Sequence, residues 1–150
     1  MLRGISPLLS PDLLETMYRM GHHDEIIFGD AHFPGESCNT KIIRADGLQI
    51  DDLLEAVLPL FVLDHVVDNP VMMMEPLPED KADAKISADY QKVHDGYHEI
   101  VQKHYPDTAP IAQVGKWDFY EQTKKAFAVV MTGDTRIYAN LILAKGVTTW

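Results

Sequence analysis

Histidine and aspartate side chains stand at both ends of a short apolar segment, and their types suit them to proton transfer. His22 and His23 precede the segment Ile26–Phe28, and Asp30 and His32 follow it. Histidine exchanges protons near neutral pH, and an ionised aspartate accepts hydrogen bonds. The apolar run is typical of a buried parallel strand, whose ends are where polar groups reach a ligand. The pattern predicts acid–base chemistry around a buried strand.

Other interpretations of the same residues stay open. His22 follows a helix-ending glycine and would favour the negative end of the helix dipole, and Asp30 would hydrogen-bond its own backbone in a turn. A zinc-dependent hydrolase is a further alternative, because residues 22–24 and 30–32 together offer enough nitrogen and oxygen ligands. Two clusters at opposite ends of a strand converge poorly on one ion, so we expect no metal and no other cofactor.

The elements that must position these residues alternate between helix and strand. Ser10-Pro11-Asp12 predicts a helix start and Gly21 its end, so the helix delivers His22 just before a strand over Glu25–Phe28. Four more strands and two short buried segments are predicted from apolar runs. The strands are Lys41–Ala45, Ile111–Gly115, Phe127–Met131 and Asn140–Ala144, and the buried segments are Phe61–Leu63 and Pro70–Met74.

Further helices are predicted between the strands. Apolar spacing indicates a helix over Leu53–Leu58 and a long amphipathic helix over Ile86–His104. Asp118 and Glu121 predict an acidic capping box at the start of a third helix. Gly29–Thr40 is expected to be a loop and Pro76–Asp83 a surface connection. This alternation predicts an α/β fold, a single three-layer α/β/α domain over residues 1–150 with a mainly parallel or mixed central sheet.

Composition narrows the classes of partner. The chain has 150 residues and a formal net charge of −10, which disfavours nucleic acid and anionic membranes because both require a basic surface. Cys38 is the single cysteine, so no intrachain disulfide forms. The N-terminus lacks the apolar core of a secretory signal, and the longest apolar run is interrupted by Pro59. We expect a soluble cytoplasmic protein.

Long motifs of this chain resemble those of a sugar isomerase family. Residues 21–34, Gly-His-His-Asp-Glu-Ile-Ile-Phe-Gly-Asp-Ala-His-Phe-Pro, closely resemble the opening motif of the L-fucose mutarotases, relatives of the D-ribose pyranases. The match continues through residues 43–48, 119–121, 125–130 and 132–134, and through 138–148. It is weakest between about residues 64 and 115.

The resemblance implies an activity and roles for particular residues. The expected enzyme is an isomerase that interconverts the α and β anomers of a free monosaccharide, most simply L-fucose, through the open-chain aldehyde. His22 would donate a proton to the ring oxygen, and Tyr120 would be a second proton-transfer group or a ring for the apolar face of the sugar. The remaining sugar-binding residues would be Asp30, Lys116, Tyr138, Ala139 and Asn140.

Two of these positions depart from the fucose pattern. Lys116 stands where fucose mutarotases usually carry arginine and ribose pyranases carry histidine, and lysine lacks the two-pronged donation of arginine. Ala139 gives the ribose-type Tyr-Ala-Asn, whereas the fucose type has glycine in the middle. A ribose pyranase-type exchange between pyranose and furanose forms is therefore an alternative. A non-catalytic sugar-binding ring protein is another.

The distance between His22 and Asp30 predicts an assembly. A straight strand between them would hold their side chains roughly 20–26 Å apart, so they share one site only if the chain folds back or a neighbouring subunit contributes one of them. We favour the subunit interface. The resemblance implies a ring-shaped homo-oligomer, a pentamer or decamer, which a closed head-to-tail contact would generate.

Overall fold

Six strands and six helices make up the fold of residues 2–148, the part of the chain that the computed structural model describes. The strands are β1 (Glu25–Gly29), β2 (Ile42–Ala45), β3 (Val71–Glu75), β4 (Ala112–Gly115), β5 (Ala128–Thr132) and β6 (Leu141–Ala144). The helices are α1 (Pro11–Arg19), α2 (Gly35–Cys38), α3 (Ile50–Val57), α4 (Pro78–Ala82), α5 (Ala84–His104) and α6 (Lys116–Lys125). Trp150, whose role the sequence leaves open, lies outside the described residues.

The strands form one mixed sheet in the order β2-β5-β1-β6-β3-β4. β5 pairs in parallel with both β1 and β2, and β3 pairs in parallel with β4. β6 joins the two halves and runs antiparallel to both β1 and β3. The expected α/β fold with a mixed sheet is confirmed.

Apolar side chains are buried on both faces of the sheet. Ile26 and Phe28 of β1 belong to one core, which also contains the buried faces of α1, α3 and α5. Ile27, between them, points into a second core with Phe119 of α6. Burying each such side chain contributes about 1.5–3 kcal/mol, and covering both faces gives the three layers expected from the sequence.

Local details differ from the sequence predictions where side-chain caps or short helices are concerned. α6 begins at Lys116 with Gly115 at its N-cap and no side-chain cap, so the predicted capping box of Asp118 and Glu121 is wrong. The expected loop after β1 contains α2, and the expected surface connection contains α4, which starts at a proline that suits the first helical turn. The buried segment Phe61–Leu63 makes only an isolated bridge to Lys145.

α1 starts as predicted: Ser10 Oγ accepts from the Leu13 N–H, and Pro11 occupies the first turn. None of the helices described for residues 2–148 is long and apolar enough to cross a membrane.

Candidate functional site

β1 carries a cluster of polar side chains at each of its ends. The strand itself is buried from Ile26 to Gly29, so neither cluster lies within it. His22 and His23 occupy a corner before the strand, and Asp30 follows it directly. Since a strand rises about 3.3 Å per residue, β1 alone separates the two clusters by roughly 16 Å.

A cavity of about 280 Å³ lies at the downstream end of β1. It forms there because strand β6, which is antiparallel to β1 and β3, begins where those two strands end. The register shows this, since Leu141 at the start of β6 pairs with both Phe28 and Met73. Its walls carry five of the predicted site residues and five others. They are Asp30, Lys116, Tyr120, Tyr138 and Asn140, together with His32, Phe33, Met74, Asp80 and Ile137.

Asp30 is nearly fully buried in this cavity. Its backbone N–H donates to the side-chain oxygen of Asn140 at 2.8 Å, and its carboxylate accepts from the backbone N–H of His32 at 2.9 Å. Burial raises the pKa of the Asp30 carboxyl above its ordinary value, although the His32 hydrogen bond opposes that effect. The Asn140 side chain also stabilises the charged carboxylate, which lines the cavity and can accept a hydrogen bond from a sugar hydroxyl.

Asn140 presents an amide group that the protein uses only in part. Its oxygen is committed to Asp30, but its nitrogen faces the sulfur of Met74 at 3.6 Å, which is a weak acceptor. A buried amide donor with so weak a partner gains by binding a hydroxyl oxygen.

Tyr138 reaches the cavity through a left-handed backbone conformation, with φ at +61°. This conformation costs of order 1–3 kcal/mol for a residue with a Cβ and persists where surrounding contacts fix it. Here the Tyr138 hydroxyl donates to Asp80 and accepts from the Leu77 N–H at 3.4 Å. Burial and the Asp80 carboxylate raise the pKa of the phenol, so the hydroxyl stays protonated.

Aromatic rings form the opposite wall. Tyr120 packs edge-on against Phe33 at 5.6 Å and against Trp117 at 5.7 Å between ring centroids. Burial raises the pKa of the Tyr120 phenol, so it keeps a proton that it can donate. The Lys116 ammonium lies 5.5 Å from the Trp117 ring centroid and adds a positive charge at the rim.

Ala139 contributes to this end through its backbone rather than its side chain. The residue is fully buried and does not line the cavity. Its carbonyl accepts a hydrogen bond from the buried Tyr97 hydroxyl at 2.9 Å, which holds the segment between Tyr138 and Asn140 in place.

The upstream corner is built around two stacked imidazoles and one buried carboxylate. The rings of His22 and His23 lie 3.6 Å apart between centroids with an interplanar angle of 23°. Asp64 lies 2.6 Å from His23 Nδ1 and 3.4 Å from His22 Nε2, measured from its carboxylate oxygens. His22 and Asp30 of one chain therefore lie in different clusters.

The same corner is where the described residues come nearest to a metal-binding arrangement. One ligand atom each of His22, His23 and Asp64 lies within 4.8 Å of the others. Asp64 is a hydrogen-bond partner of each histidine, and the two rings stack, which accounts for the proximity of these atoms. Asp24, which the sequence offered as a ligand, instead accepts from the Gly21 N–H at 2.7 Å.

Two carboxylates of these sites have no signal in the sequence. Asp64 follows a short apolar segment, and Asp80 lies in an acidic stretch that reads as surface. Each meets its partner across more than 40 positions of sequence, 41 for Asp64 with His23 and 58 for Asp80 with Tyr138. Local spacing carries no information about such contacts.

Known proteins share this fold and much of this sequence. The chain is 43% identical over 148 residues to the L-fucose mutarotase of Haemophilus influenzae, covering 99% of this chain and 98% of the relative. The crystal structure of the fucose mutarotase in complex with L-fucose from Streptococcus pneumoniae superposes with a TM-score of 0.85 at 41% identity, covering 99% of this chain and all of that one.

More distant structures agree in fold. Bacillus subtilis RbsD complexed with D-ribose superposes with a TM-score of 0.71 at 22% identity, again over 99% of this chain and all of the other. The model of the RbsD / FucU transport protein family matches residues 3–148. With that match across the whole described fold, and with relatives above 40% identity, this chain belongs to the RbsD / FucU transport protein family.

Proposed function

We propose that this protein is an isomerase that interconverts the α and β anomers of a free monosaccharide, with L-fucose as the substrate. The observation that carries the proposal is the cavity after β1, where Asp30, Asn140 and Tyr138 present hydroxyl-binding groups. The full-length similarity to L-fucose mutarotases and to a structure in complex with L-fucose supports this choice.

The reaction requires proton transfers and no change of oxidation state. The anomeric hydroxyl loses its proton as the bond between C1 and the ring oxygen breaks, and the ring oxygen gains a proton. The resulting aldehyde rotates and closes on its other face by the reverse steps. General acid and base groups with suitable pKa values each contribute about 10²–10⁴-fold to such a reaction.

The role of each site residue follows from the chemistry of its side chain. His22 exchanges a proton with the ring oxygen, because an imidazole both gives and takes protons near neutral pH. Tyr120, whose phenol stays protonated, serves as the second proton-transfer group. Asp30 accepts hydrogen bonds from sugar hydroxyls, Lys116 donates them, and Asn140 does both. Tyr138 joins this binding group, and Ala139 contributes through its backbone.

A neighbouring subunit supplies His22 in this proposal. Exposed apolar side chains lie near each cluster: Val66 and Val147 beside the histidine corner, and Trp117 and Ile137 beside the cavity. Docking the corner of one copy onto the cavity of the next would bury both patches and join the two halves of the site. Such a head-to-tail contact closes into a ring, and we propose the pentamer or decamer implied by the sequence resemblance.

Mixed oligomers test the shared site directly. His22→Ala protein is expected to have a low kcat and Asn140→Ala protein a low sugar affinity, so each should be nearly inactive at sugar concentrations below the KM of the unmodified protein. Co-refolded equal mixtures should recover activity at about one interface in four, where both contributions are intact. Anomer exchange is measured by NMR saturation transfer on L-fucose. An active site shared between subunits would be excluded if the mixtures were as inactive as the single variants. It would also be excluded if light scattering showed a fully active monomer.

The choice of sugar rests on two positions that differ from the fucose pattern. Lys116 is a point charge and Ala139 is the ribose-type residue, so a pyranose–furanose exchange on D-ribose is the alternative substrate reaction. NMR exchange rates for fucose, ribose, galactose and glucose compare the candidates side by side. The highest kcat/KM on ribose would replace L-fucose as the assigned substrate.

A sugar-binding protein without catalysis is the alternative from another class. It would need Asp30, Tyr138 and Asn140 but not His22. A catalyst should lose most of its anomer exchange in His22→Ala while still binding sugar, whereas a binding protein should be unaffected by this substitution. We also propose a cytoplasmic location, as expected from the sequence.

A further inference from the structure

The segment between β5 and β6, residues 133–140, forms one wall of the proposed sugar site. Ile137, Tyr138 and Asn140 of this segment line the cavity. In the described structure the segment contains neither helix nor strand, so no ladder of backbone hydrogen bonds fixes it. Tyr138 is in the left-handed region, which a residue with a Cβ adopts only where its surroundings hold it. The position of this tyrosine therefore depends in part on its neighbours in the chain.

Asp134, near the start of this segment, is a fully buried carboxylate. Its Oδ1 accepts from the Arg136 N–H at 3.0 Å and from Arg136 Nε at 2.9 Å, and its Oδ2 accepts from the Ile50 N–H at 3.2 Å. The Ala31 N–H donates to the backbone carbonyl of Asp134 at 2.7 Å. Asp134 thus joins the segment to the start of α3 and to the residue after Asp30.

Arg136 bridges Asp134 to a second carboxylate. Its Nη2 lies 2.6 Å from Asp134 Oδ2 and 2.5 Å from Asp51 Oδ2, in the first turn of α3. Its Cζ lies 5.7 Å from the ring centroid of Tyr97 on α5, within the range of a cation–π contact. Burial raises the pKa of Asp134, but the hydrogen bonds from Arg136 and Ile50 outweigh burial and leave the pKa below its ordinary value. The guanidinium therefore lies between two carboxylates, an arrangement that we call the Arg136 bridge.

The chain is attached to the core on both sides of Tyr138. The Arg136 bridge holds residue 136, and the buried Tyr97 hydroxyl holds residue 139 by donating to the Ala139 carbonyl at 2.9 Å. Between these two points lie Ile137 and Tyr138, and both line the cavity. Loss of the guanidinium is therefore expected to displace the two residues that contact the cavity.

The bridge requires the shape of an arginine as well as its charge. Nε donates to one oxygen of Asp134 and Nη2 to the other, so the planar guanidinium binds this carboxylate by two parallel hydrogen bonds. A lysine ammonium would supply the charge but not this geometry. Without any cation, Asp134 would be a buried and unpaired charge close to the like charge of Asp51.

We propose that Arg136 is a positioning residue, which sets the place of Ile137 and Tyr138 in the cavity wall. Arg136 itself lies outside the cavity and acts on the sugar only through these two residues. The inference rests on the proposed function, because it takes the cavity as the sugar site. Replacing Arg136 should therefore weaken sugar binding and leave the proton transfers intact.

The first test follows Tyr138 in the sugar-free protein. NMR of isotope-labelled tyrosine rings reports its environment, with Tyr138→Phe used for assignment. The Tyr138 signals should shift in Arg136→Met and stay in place in Lys103→Met, the matched control. Lys103 also pairs with a carboxylate of α3, Glu55, at 2.9 Å, but on the exposed surface. Tyr138 signals that do not move in Arg136→Met would overturn the inference.

The second test separates KM from kcat in anomer exchange. We expect Arg136→Met to raise the KM for the sugar about 3- to 10-fold, the effect of losing one hydrogen bond, with kcat nearly unchanged. Arg136→Lys should recover part of the affinity, because it restores the charge without the planar geometry. Thermal unfolding measures the stability of each variant. A less stable Arg136→Met with a normal KM would mean that the bridge is only structural, and the inference would be wrong.

Asp51→Asn is a milder variant that keeps the arginine. Asparagine has the size of aspartate and Asp134 stays paired, so no buried charge is left alone. The KM should rise about 2-fold, less than in Arg136→Met, because half of the bridge remains. Asp52→Asn, the exposed neighbour in the same helical turn, is the control and should keep the normal KM. Equal KM values for the two asparagine variants would also overturn the inference.

Double variants show whether Arg136 acts through Tyr138. In a Tyr138→Phe background, which lacks the hydroxyl, Arg136→Met should change the KM by less than about 2-fold. In a Lys116→Met background, on the opposite wall, Arg136→Met should keep its full effect. Equal effects of Arg136→Met in the two backgrounds would contradict the inference.

The inference and the proposed function fail in different ways. If the unmodified protein exchanges the anomers of none of fucose, ribose, galactose and glucose, the proposed function is wrong and the effect on sugar affinity is lost with it. If the unmodified protein is active but Arg136→Met keeps the normal KM, only the inference is wrong.

Discussion

The two ends of β1 differ in chemistry although they flank the same five residues. The downstream end is a cavity of hydroxyl-binding groups, with Asp30 and Asn140 bonded to each other through the backbone of Asp30. The upstream end has two stacked imidazoles on a buried carboxylate and is suited to moving protons. Mutarotation needs both functions on one sugar. The comparison explains why we place the active site between two copies of the chain.

His22→Ala tests whether proton transfer and sugar binding are separated in this way, and it has the largest expected effect. Removing the imidazole should lower kcat by about 10²–10⁴-fold, the usual contribution of a general acid or base. Sugar affinity by calorimetry should stay the same because the binding groups lie at the other end. His98→Ala, a half-buried histidine on α5, is the matched control and should behave normally. If His22→Ala lost as much sugar affinity as catalytic rate, binding and proton transfer would not be separated between the two ends of β1.

Asn140→Ala should produce the opposite pattern. It leaves the buried Asp30 N–H without its acceptor and removes a hydroxyl-binding amide, so we expect a loss of about 1–3 kcal/mol in stability. Sugar affinity should fall at the same time, while the NMR resonances of the His22 ring should not change. Denaturant unfolding and calorimetry measure the first two effects. Unchanged affinity would remove Asn140 from the binding site.

Two glycines allow each end to be disturbed separately. A Cβ on Gly146 would lie 2.5 Å from the Leu63 carbonyl oxygen and 2.9 Å from Asp64 Cα, whereas a Cβ on Gly133 would lie 2.5 Å from Gly47 N. Both are backbone clashes, so each alanine variant should lose about 1–3 kcal/mol of stability. Gly146→Ala should also shift the His22 and His23 resonances, and Gly133→Ala should leave them in place. Equal shifts in both variants would show that the two ends are not independent.

The pH dependence of binding should originate at the cavity end. The pKa of Asp30 lies above the ordinary 3.8, so its carboxylate is protonated on acidification earlier than an exposed aspartate. Sugar affinity should therefore fall as pH decreases through this raised pKa, before ordinary aspartates titrate. Asp30→Asn should bind more weakly and lose this dependence, as measured by calorimetry between neutral and acidic pH. The same acid dependence in Asp30→Asn would assign the effect elsewhere.

The smallest expected effect compares two tyrosine hydroxyls, that of the buried Tyr97 and that of the half-buried Tyr105. Tyr97 donates to Ala139 at the cavity end, and Tyr105 donates to the Phe61 carbonyl at 2.7 Å. Phenylalanine at either position should lower stability by about 1 kcal/mol, because a carbonyl loses its donor. Only Tyr97→Phe should raise the KM for the sugar, since Ala139 lies between two binding residues. A raised KM in Tyr105→Phe as well would argue against that assignment.

The amino-acid sequence alone determined the class of fold and the family resemblance. Apolar runs and helical spacing are local properties, so β1, α1 and α5 were predicted close to their observed bounds. The polar residues at both ends of β1 were found in the same way. Caps were less predictable: α6 uses Gly115 where Asp118 was expected, because tertiary packing overrides weak local preferences.

Only the tertiary structure decided how these residues are combined. β6 runs antiparallel to β1 and β3, and this brings Tyr138 and Asn140 to Asp30. Asp64 joins His22 and His23 for the same kind of reason, since its segment is bonded to the end of β6. Strand order and direction join residues far apart in the chain, and the local periodicity that identifies a strand does not specify its neighbours.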